Sequence, residues 1–294
     1  MEVRSRSRTL LKWIALLQLV RWQIVLLTLL VQYLAAAFVF SQKTGFPGIL
    51  YDSRLHVIVV CTSFIISAGF IINSFYDLER DAINHPQRLK IQGLLGKDFA
   101  LRFYVLLNLL ALSLAAMAGF RVFLFMCAFA MGLWLYSHKL QKKPVIREIS
   151  ASILSVISLV SVGLHYGHYS QELILYGVYF MLLLFMREGI KDLVAQKGNV
   201  IYGYATMAVA LGEKRLLRLL LLVFFSSLLP VLLLWLPKQH SLFGVMLLIT
   251  SALNFLAVIW EFFRFDRLRI VHAHALMRLV ILLALTNLFF LNQP

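Results

Sequence analysis

Acidic residues are scarce in this chain of 294 residues, with 13 Asp and Glu against 28 Lys and Arg and a formal net charge of +15. Charge of both signs makes up only 14% of the residues and apolar side chains 61%, where a soluble globular chain runs at roughly 25% charged and 45–50% apolar. That shortage of charge excludes an ordinary soluble domain, and the apolar excess excludes a disordered chain. Cysteine is nearly absent. Cys61 and Cys127 each sit inside an apolar run, which excludes a disulfide scaffold. There is no glycine-rich phosphate loop and no Gly-x-Ser-x-Gly elbow. The histidine pairs His165/His168 and His272/His274 have no cysteine or carboxylate placed to complete a zinc site, and they read as interfacial residues. The six prolines fall mostly near the ends of apolar runs, and no linker or low-complexity tract divides the chain, so one domain over residues 1–294 is expected.

What the sequence has is long uncharged runs separated by short basic clusters, the pattern of a multi-pass membrane protein rather than of a nucleic-acid-binding surface. A spanning helix needs about 20 predominantly apolar residues. Nine stretches qualify: Gln23–Phe40, His56–Phe75, Phe99–Gly119, Val122–Ser137, Ile149–Tyr166, Leu173–Met186, Leu216–Leu236, Leu242–Phe262 and Ile270–Leu291. The fourth and sixth are short and should extend beyond these limits. The N-terminal basic run has the layout of a secretory signal, but the apolar stretch after it exceeds the roughly 7–15 residues of a signal core and reads as the first span. With the N-terminus assigned to the cytoplasm, most of the 28 basic residues share its side, and only Lys43, Arg54, Arg121 and Lys238 fall opposite. The positive-inside rule then sets the C-terminus on the other side of the membrane.

Against so few acids, two clusters stand out. Asn73, Asp77 and Asp81 recur every four residues at the end of the second span, a spacing that on a helix stacks side chains along one stripe. Two carboxylates and an amide on one stripe suit Mg²⁺, which typically binds through one or two carboxylates plus substrate phosphates. Arg88 and Lys90 follow, and an arginine near such an ion can fork onto phosphate oxygens. Spacing alone is equally compatible with a solvated helix end. Glu188 and Asp192, also four apart, close the sixth span, and the charge pattern puts both clusters on one membrane face. A transporter more often keeps its ionisable residues near mid-bilayer. Here the spans are almost free of acid in their middles, which points to chemistry at the membrane surface on an anionic head group.

These residues resemble the UbiA superfamily of intramembrane prenyltransferases, known by Asn-x-x-x-Asp-x-x-x-Asp after the second of nine helices and an acidic motif after the sixth. Asn73, Asp77 and Asp81 match the first motif. The continuation Asn84-His85-Pro86-Gln87-Arg88 is similar to that of the geranylgeranylglyceryl phosphate geranylgeranyltransferase branch, as are Gly198-Asn199 and Gly203-Tyr204-Ala205-Thr206. Tyr136-Ser137-His138-Lys139-Leu140 also resembles a family segment. Two departures lie in the second motif, where Ala195 and Asn199 stand at positions that usually carry further acids, and Ser74 stands where many members have aspartate.

The resemblance implies an all-α bundle of nine transmembrane helices that moves an isoprenyl group from a polyprenyl diphosphate to a lipophilic acceptor, with Mg²⁺ as cofactor. The favoured acceptor is a geranylgeranylglycerol phosphate. An aromatic acceptor, as in quinone biosynthesis, and a non-catalytic lipid-binding or transport relative are the alternatives. Heterolysis of the allylic carbon–oxygen bond leaves a carbocation and a highly charged diphosphate that cations must stabilise. By this likeness Asn73, Asp77 and Asp81 hold one ion, while Asp192, helped by Glu188 or Asn199, holds a second. Arg88, Lys139 and Lys191 take the remaining phosphate oxygens, and Arg21 either reaches the same cavity or snorkels. Tyr76, Tyr136, Tyr202 and Tyr204 lie near the motifs, as cation shields or as interfacial belt residues. The setting implied is a bacterial or archaeal cell membrane, with membrane lipids as surroundings and the oligomeric state open.

Overall fold

In hydrocarbon every backbone amide must be satisfied within its own segment, so long apolar runs fold as helices. The computed structural model describes residues 2–40, 45–78, 89, 93–167, 169–201, 205–260 and 267–291. Among these residues nine helical segments are long and apolar enough to cross a membrane.

Helix α1 (Glu2–Leu19) precedes α2 (Trp22–Ala35), which a π-helical turn over Ala36–Phe40 prolongs. The short α3 (Gly45–Leu50) leads to α4 (Ser53–Tyr76), followed by α5 (Lys97–Ala118), α6 (Phe120–His138), α7 (Ile146–Tyr166) and the long α8 (Gln171–Ile201). The five-residue α9 (Met207–Leu211) then precedes α10 (Glu213–Trp235), α11 (Leu242–Trp260) and α12 (Arg267–Asn287). All nine apolar runs become spans, and the two short ones extend as expected. The fourth span reaches Lys142, and the sixth is carried by α8, whose helix continues to Ile201. Helix α1 has no counterpart among the expected spans, and Leu10, Leu11, Trp13, Ile14 and Leu17 are exposed along it.

The chain gathers into two compact units. The first comprises Met1–Tyr33, Thr44–Lys139 and Ser158–Tyr166, and is organised on α4, against which α5 and α6 pack. Its core joins Leu19, Ala68, Ile71 and Leu107, with Phe64, Phe103 and Tyr104 packed around them. Buried polar groups tie helices together where no hydrophobic contrast with lipid can. Gln32 Nε2 donates to the Ser158 carbonyl at 2.9 Å and stands 3.1 Å from the Ser161 hydroxyl. Gly119 ends α5 and opens α6 at φ 140° and ψ 158°, a conformation essentially reserved for glycine.

The N-terminal end of α4 is pinned by Asp52, whose carboxylate accepts the Leu55 N–H at 3.0 Å, lies 2.7 Å from His165 Nε2 and accepts the Tyr166 hydroxyl at 3.1 Å. Partial burial pushes the Asp52 pKa up, but the bonds from His165, Leu55 and Tyr166 outweigh it and hold the carboxyl below the usual aspartate value. His165 thus belongs to a helix-end network. His168 lies outside the described residues.

The second unit comprises Leu34–Lys43, Leu140–Ile157 and Gly167–Pro294. In it α8 packs on α10 and α12, and α11 packs between those two in sequence against both. Tyr176 donates its hydroxyl to the Ala284 carbonyl, the Tyr179 and Ser251 hydroxyls lie 3.2 Å apart, and Asn287 Nδ2 donates to Thr250 Oγ1 at 3.1 Å. These buried bonds fix α8 against α11 and α12. Gly189 allows α10 to approach α8, since a Cβ at that position would lie 2.7 Å from Leu220 Cδ2 and 3.1 Å from Met207 Cε. The close approach falls between the two acids of the second motif.

Candidate functional site

The first motif stands at the end of α4. The helix stops at Tyr76 and Asp77 occupies the cap, its N–H donating to the Asn73 carbonyl at 2.9 Å. The four-residue step expected from the spacing is made here, for Asn73 Nδ2 donates to Asp77 Oδ2 at 2.8 Å. Asp81, Arg88 and Lys90 lie outside the described residues, as do Tyr202 and Tyr204.

The end of α6 shores up this pair. The Ser137 hydroxyl donates to Asn73 Oδ1 at 3.5 Å, so the amide turns its nitrogen to Asp77 and its oxygen to Ser137. His138 Nδ1 and the Tyr76 hydroxyl are 3.0 Å apart, and the Trp134 ring stacks on His138 with centroids 5.1 Å apart and planes 8° from parallel. Tyr76 is therefore held in place rather than loose at the interface. Tyr136 is half-buried on the same turn, and Lys139, which caps α6, is exposed. Arg21 joins α1 to α2 at φ 51°, and its guanidinium lies 5.0 Å from the centre of the Phe70 ring, a cation–π arrangement on α4. Ser137, His138 and Trp134 were not among the expected site residues. For Ser137 and His138 the signal was the resemblance of the Tyr136–Leu140 segment to the family; Trp134 lies outside that segment.

The second motif is a different kind of environment. Helix α8 carries Glu188, Asp192 and Asn199 on one continuous helix. Glu188 is clasped by its neighbours, with Arg187 Nη1 at 2.7 Å from Oε1 and Lys191 Nζ at 2.7 Å from Oε2. Asp192 and Asn199 are buried. Arg147, from the first turn of α7, places Nη2 at 2.7 and 2.6 Å from the two Asp192 oxygens and donates from Nε to Glu148 Oε1 at 2.7 Å. The Met207 N–H adds a bond to Asp192 Oδ2 at 3.2 Å. The side chains of Arg147, Glu148 and Asp192 are 11%, 1% and 5% exposed. Val145, two residues before Arg147, has φ 69°, a strained conformation for a β-branched residue. In the sequence Arg147 stands only among the basic residues on the N-terminal side, and Glu148 falls outside both acidic clusters. Two adjacent opposite charges at the start of a span were the available signal.

Among the described residues no three His, Cys, Asp or Glu side chains gather closely enough to hold a metal ion. Asn73 and Asp77 still put an amide and a carboxylate side by side, and such a pair fits an ion that completes its shell with water and substrate phosphate. The Asp192 donor set does not fit in the same way, because its oxygens already face a guanidinium and a backbone amide. Lys191, expected on phosphate, pairs with Glu188.

This is a helical multi-pass membrane protein with an amide–carboxylate pair at the end of one span and a charge-dense cluster near the end of another. Residues 26–288 match the UbiA prenyltransferase family, and the chain belongs to it. It is 30% identical over 210 residues to the digeranylgeranylglyceryl phosphate synthase of Korarchaeum cryptofilum, covering 71% of this chain and 74% of that one. The enzyme of the same name from Sulfolobus acidocaldarius is 29% identical over 156 residues, 53% of this chain and 57% of that one. A solved digeranylgeranylglyceryl phosphate synthase superposes with a TM-score of 0.76 at 18% identity, covering 95% of this chain and 97% of that one. A UbiA homologue from Archaeoglobus fulgidus, bound to GPP and Mg²⁺, superposes with a TM-score of 0.65 at 16% identity over 93% and 99%. These structures share the fold.

Proposed function

We propose that this protein transfers a geranylgeranyl group from its diphosphate to geranylgeranylglyceryl phosphate, forming the second ether bond of an isoprenoid lipid. The donor's allylic carbon–oxygen bond breaks, the acceptor's hydroxyl oxygen bonds to the allylic carbon and loses its proton, and diphosphate leaves. The observation that carries this reading is the hydrogen-bonded Asn73–Asp77 pair at the cap of α4, in a chain of the UbiA family. The named relatives supply the acceptor.

Asn73 and Asp77, with Asp81 beyond them, would hold Mg²⁺, which when bound neutralises charge on the departing diphosphate. Lys139 and Arg88 present cations to the remaining phosphate oxygens, and Lys139 is exposed at the cap of α6 for that role. Tyr76, fixed by His138, offers a ring face near the pair that attracts positive charge without reacting with it. We place the N-terminus in the cytoplasm on the strength of the basic clusters.

A non-catalytic lipid-binding relative is the rival reading, favoured by Ala195 and Asn199 in place of acids. Purified protein incubated with labelled geranylgeranyl diphosphate, Mg²⁺ and either geranylgeranylglyceryl phosphate or 4-hydroxybenzoate separates the readings. The expected result is label in an ether lipid with the first acceptor, lost in Asp77→Ala. Equal background release of diphosphate by wild type and variant, with either acceptor, refutes the enzyme reading.

A further inference from the structure

The second acidic cluster is closed by the chain's own cations. Among the described residues Arg147, Arg187 and Lys191 face Glu148, Glu188 and Asp192, three cations against three carboxylates and a formally neutral set. Both oxygens of Asp192 are engaged by one guanidinium nitrogen, and Oδ2 also receives the Met207 N–H. Of these carboxylate oxygens only Glu148 Oε2 is without a hydrogen-bond partner among the described residues, and it is buried. Ala195 and Asn199 add no negative charge.

We infer that Arg147 occupies, as an internal counter-cation, the place of a second divalent ion on Asp192, so that this chain takes its diphosphate substrate with a single divalent ion. This rests on the functional reading above. A divalent ion on Asp192 has to displace the guanidinium from both carboxylate oxygens, and it adds two positive charges to a set that is formally neutral among the described residues. Both changes occur in a buried site, where an unpaired charge is poorly tolerated. Arginine suits the role because its guanidinium is charged at every relevant pH and spreads several donors in one plane. The backbone is set for it. Val145 turns through a left-handed conformation just ahead of α7, and Arg147 enters in the first turn with Glu148 beside it.

The test counts bound ions rather than turnover. The full chain in nanodiscs is titrated with Mn²⁺ in the presence of geranylgeranyl thiolodiphosphate, and bound Mn²⁺ is read from loss of the free-ion EPR signal. One ion per chain is expected in wild type, in Asp192→Asn and in Glu148→Gln, and none in Asp77→Asn. In Arg147→Gln a second ion is expected, because the carboxylates lose their resident cation. Two ions in wild type, falling to one in Asp192→Asn or Glu148→Gln, overturn the inference and leave the functional reading standing. A folded Arg147→Gln protein that still binds one ion overturns the stand-in role. No ion in wild type overturns the functional reading itself.

Discussion

Replacing Arg147 by methionine keeps much of the side chain's length and removes its charge. The two carboxylates it faces have side-chain exposures of 1% and 5%, so solvent cannot take over for the missing guanidinium. Removing one partner of a buried ion pair destabilises a protein by about 3–5 kcal/mol, because the other charge stays buried and unpaired. Here two carboxylates lose one cation, so we expect Arg147→Met to fall in that range when divalent ions are chelated. Reversible unfolding in mixed micelles of rising SDS fraction, followed by tryptophan fluorescence, measures the difference. The companion triple variant, Arg147→Met with Glu148→Met and Asp192→Leu, should recover most of the loss, since replacing a whole buried ionic set by apolar residues of similar volume is often neutral or stabilising. Millimolar Mg²⁺ should restore part of the single variant's stability and none of the triple's. A single variant within about 1 kcal/mol of wild type, or a triple variant no more stable than the single, refutes the reasoning.

Other consequences follow from the same geometry. Asp77→Asn should reduce prenyl transfer by ~10²-fold or more, in keeping with the several kcal/mol a bound ion supplies to developing charge, and a fall of under threefold in a labelled-donor assay removes Asp77 from the metal site. Asp52 is more acidic when folded than unfolded, so its contribution to stability is complete above its ordinary value of 3.8 and is lost as pH falls through the lower folded value. Melting curves should therefore show an acid-side loss in that window that Asp52→Asn lacks. Gly119→Ala should destabilise by ~1–3 kcal/mol through backbone conformation alone, because a Cβ there meets nothing within 4 Å; an unchanged melting temperature would contradict it. Asn199→Asp adds a carboxylate to the second cluster and should bind Mg²⁺ as tightly as wild type or more so by titration calorimetry; a clear fall in affinity would contradict this.

The spans were legible because hydrophobicity over about 20 residues is a local property that bilayer thickness enforces. The Asn73–Asp77 contact was legible for a related reason: a four-residue step on a helix brings side chains together whatever surrounds them. The pairing of Arg147 with Asp192 crosses 45 positions of sequence, and that of Asp52 with His165 crosses 113. No periodicity encodes either one, since each depends on which helix ends are neighbours in space. Arg147 was further concealed by its company, because a basic residue between spans already has an explanation in topology. Helix α1 was missed because its first residues are too basic for a span and its apolar part, Leu10–Leu19, is too short.

The helix dipoles explain why the two motifs handle charge differently. Asp77 caps the C-terminal end of α4, where the last carbonyls already make the potential negative, and a carboxylate there adds to that excess. The position calls for a cation from outside the helix, and a metal–diphosphate pair can bring one. Asp192 lies inside α8, with helix running on to Ile201, so it stands away from the negative end of its own helix and burial is its main penalty. A fixed cation answers that penalty. Arg147 supplies it from an unfavourable place, since the N-terminal turn of a helix repels positive charge. Glu148, in the same turn, offsets the repulsion, and the left-handed backbone at Val145 is a further strain upstream. A residue kept against both the dipole and the backbone's preference is not there for the helix. Its contacts identify what it serves, the Asp192 carboxylate.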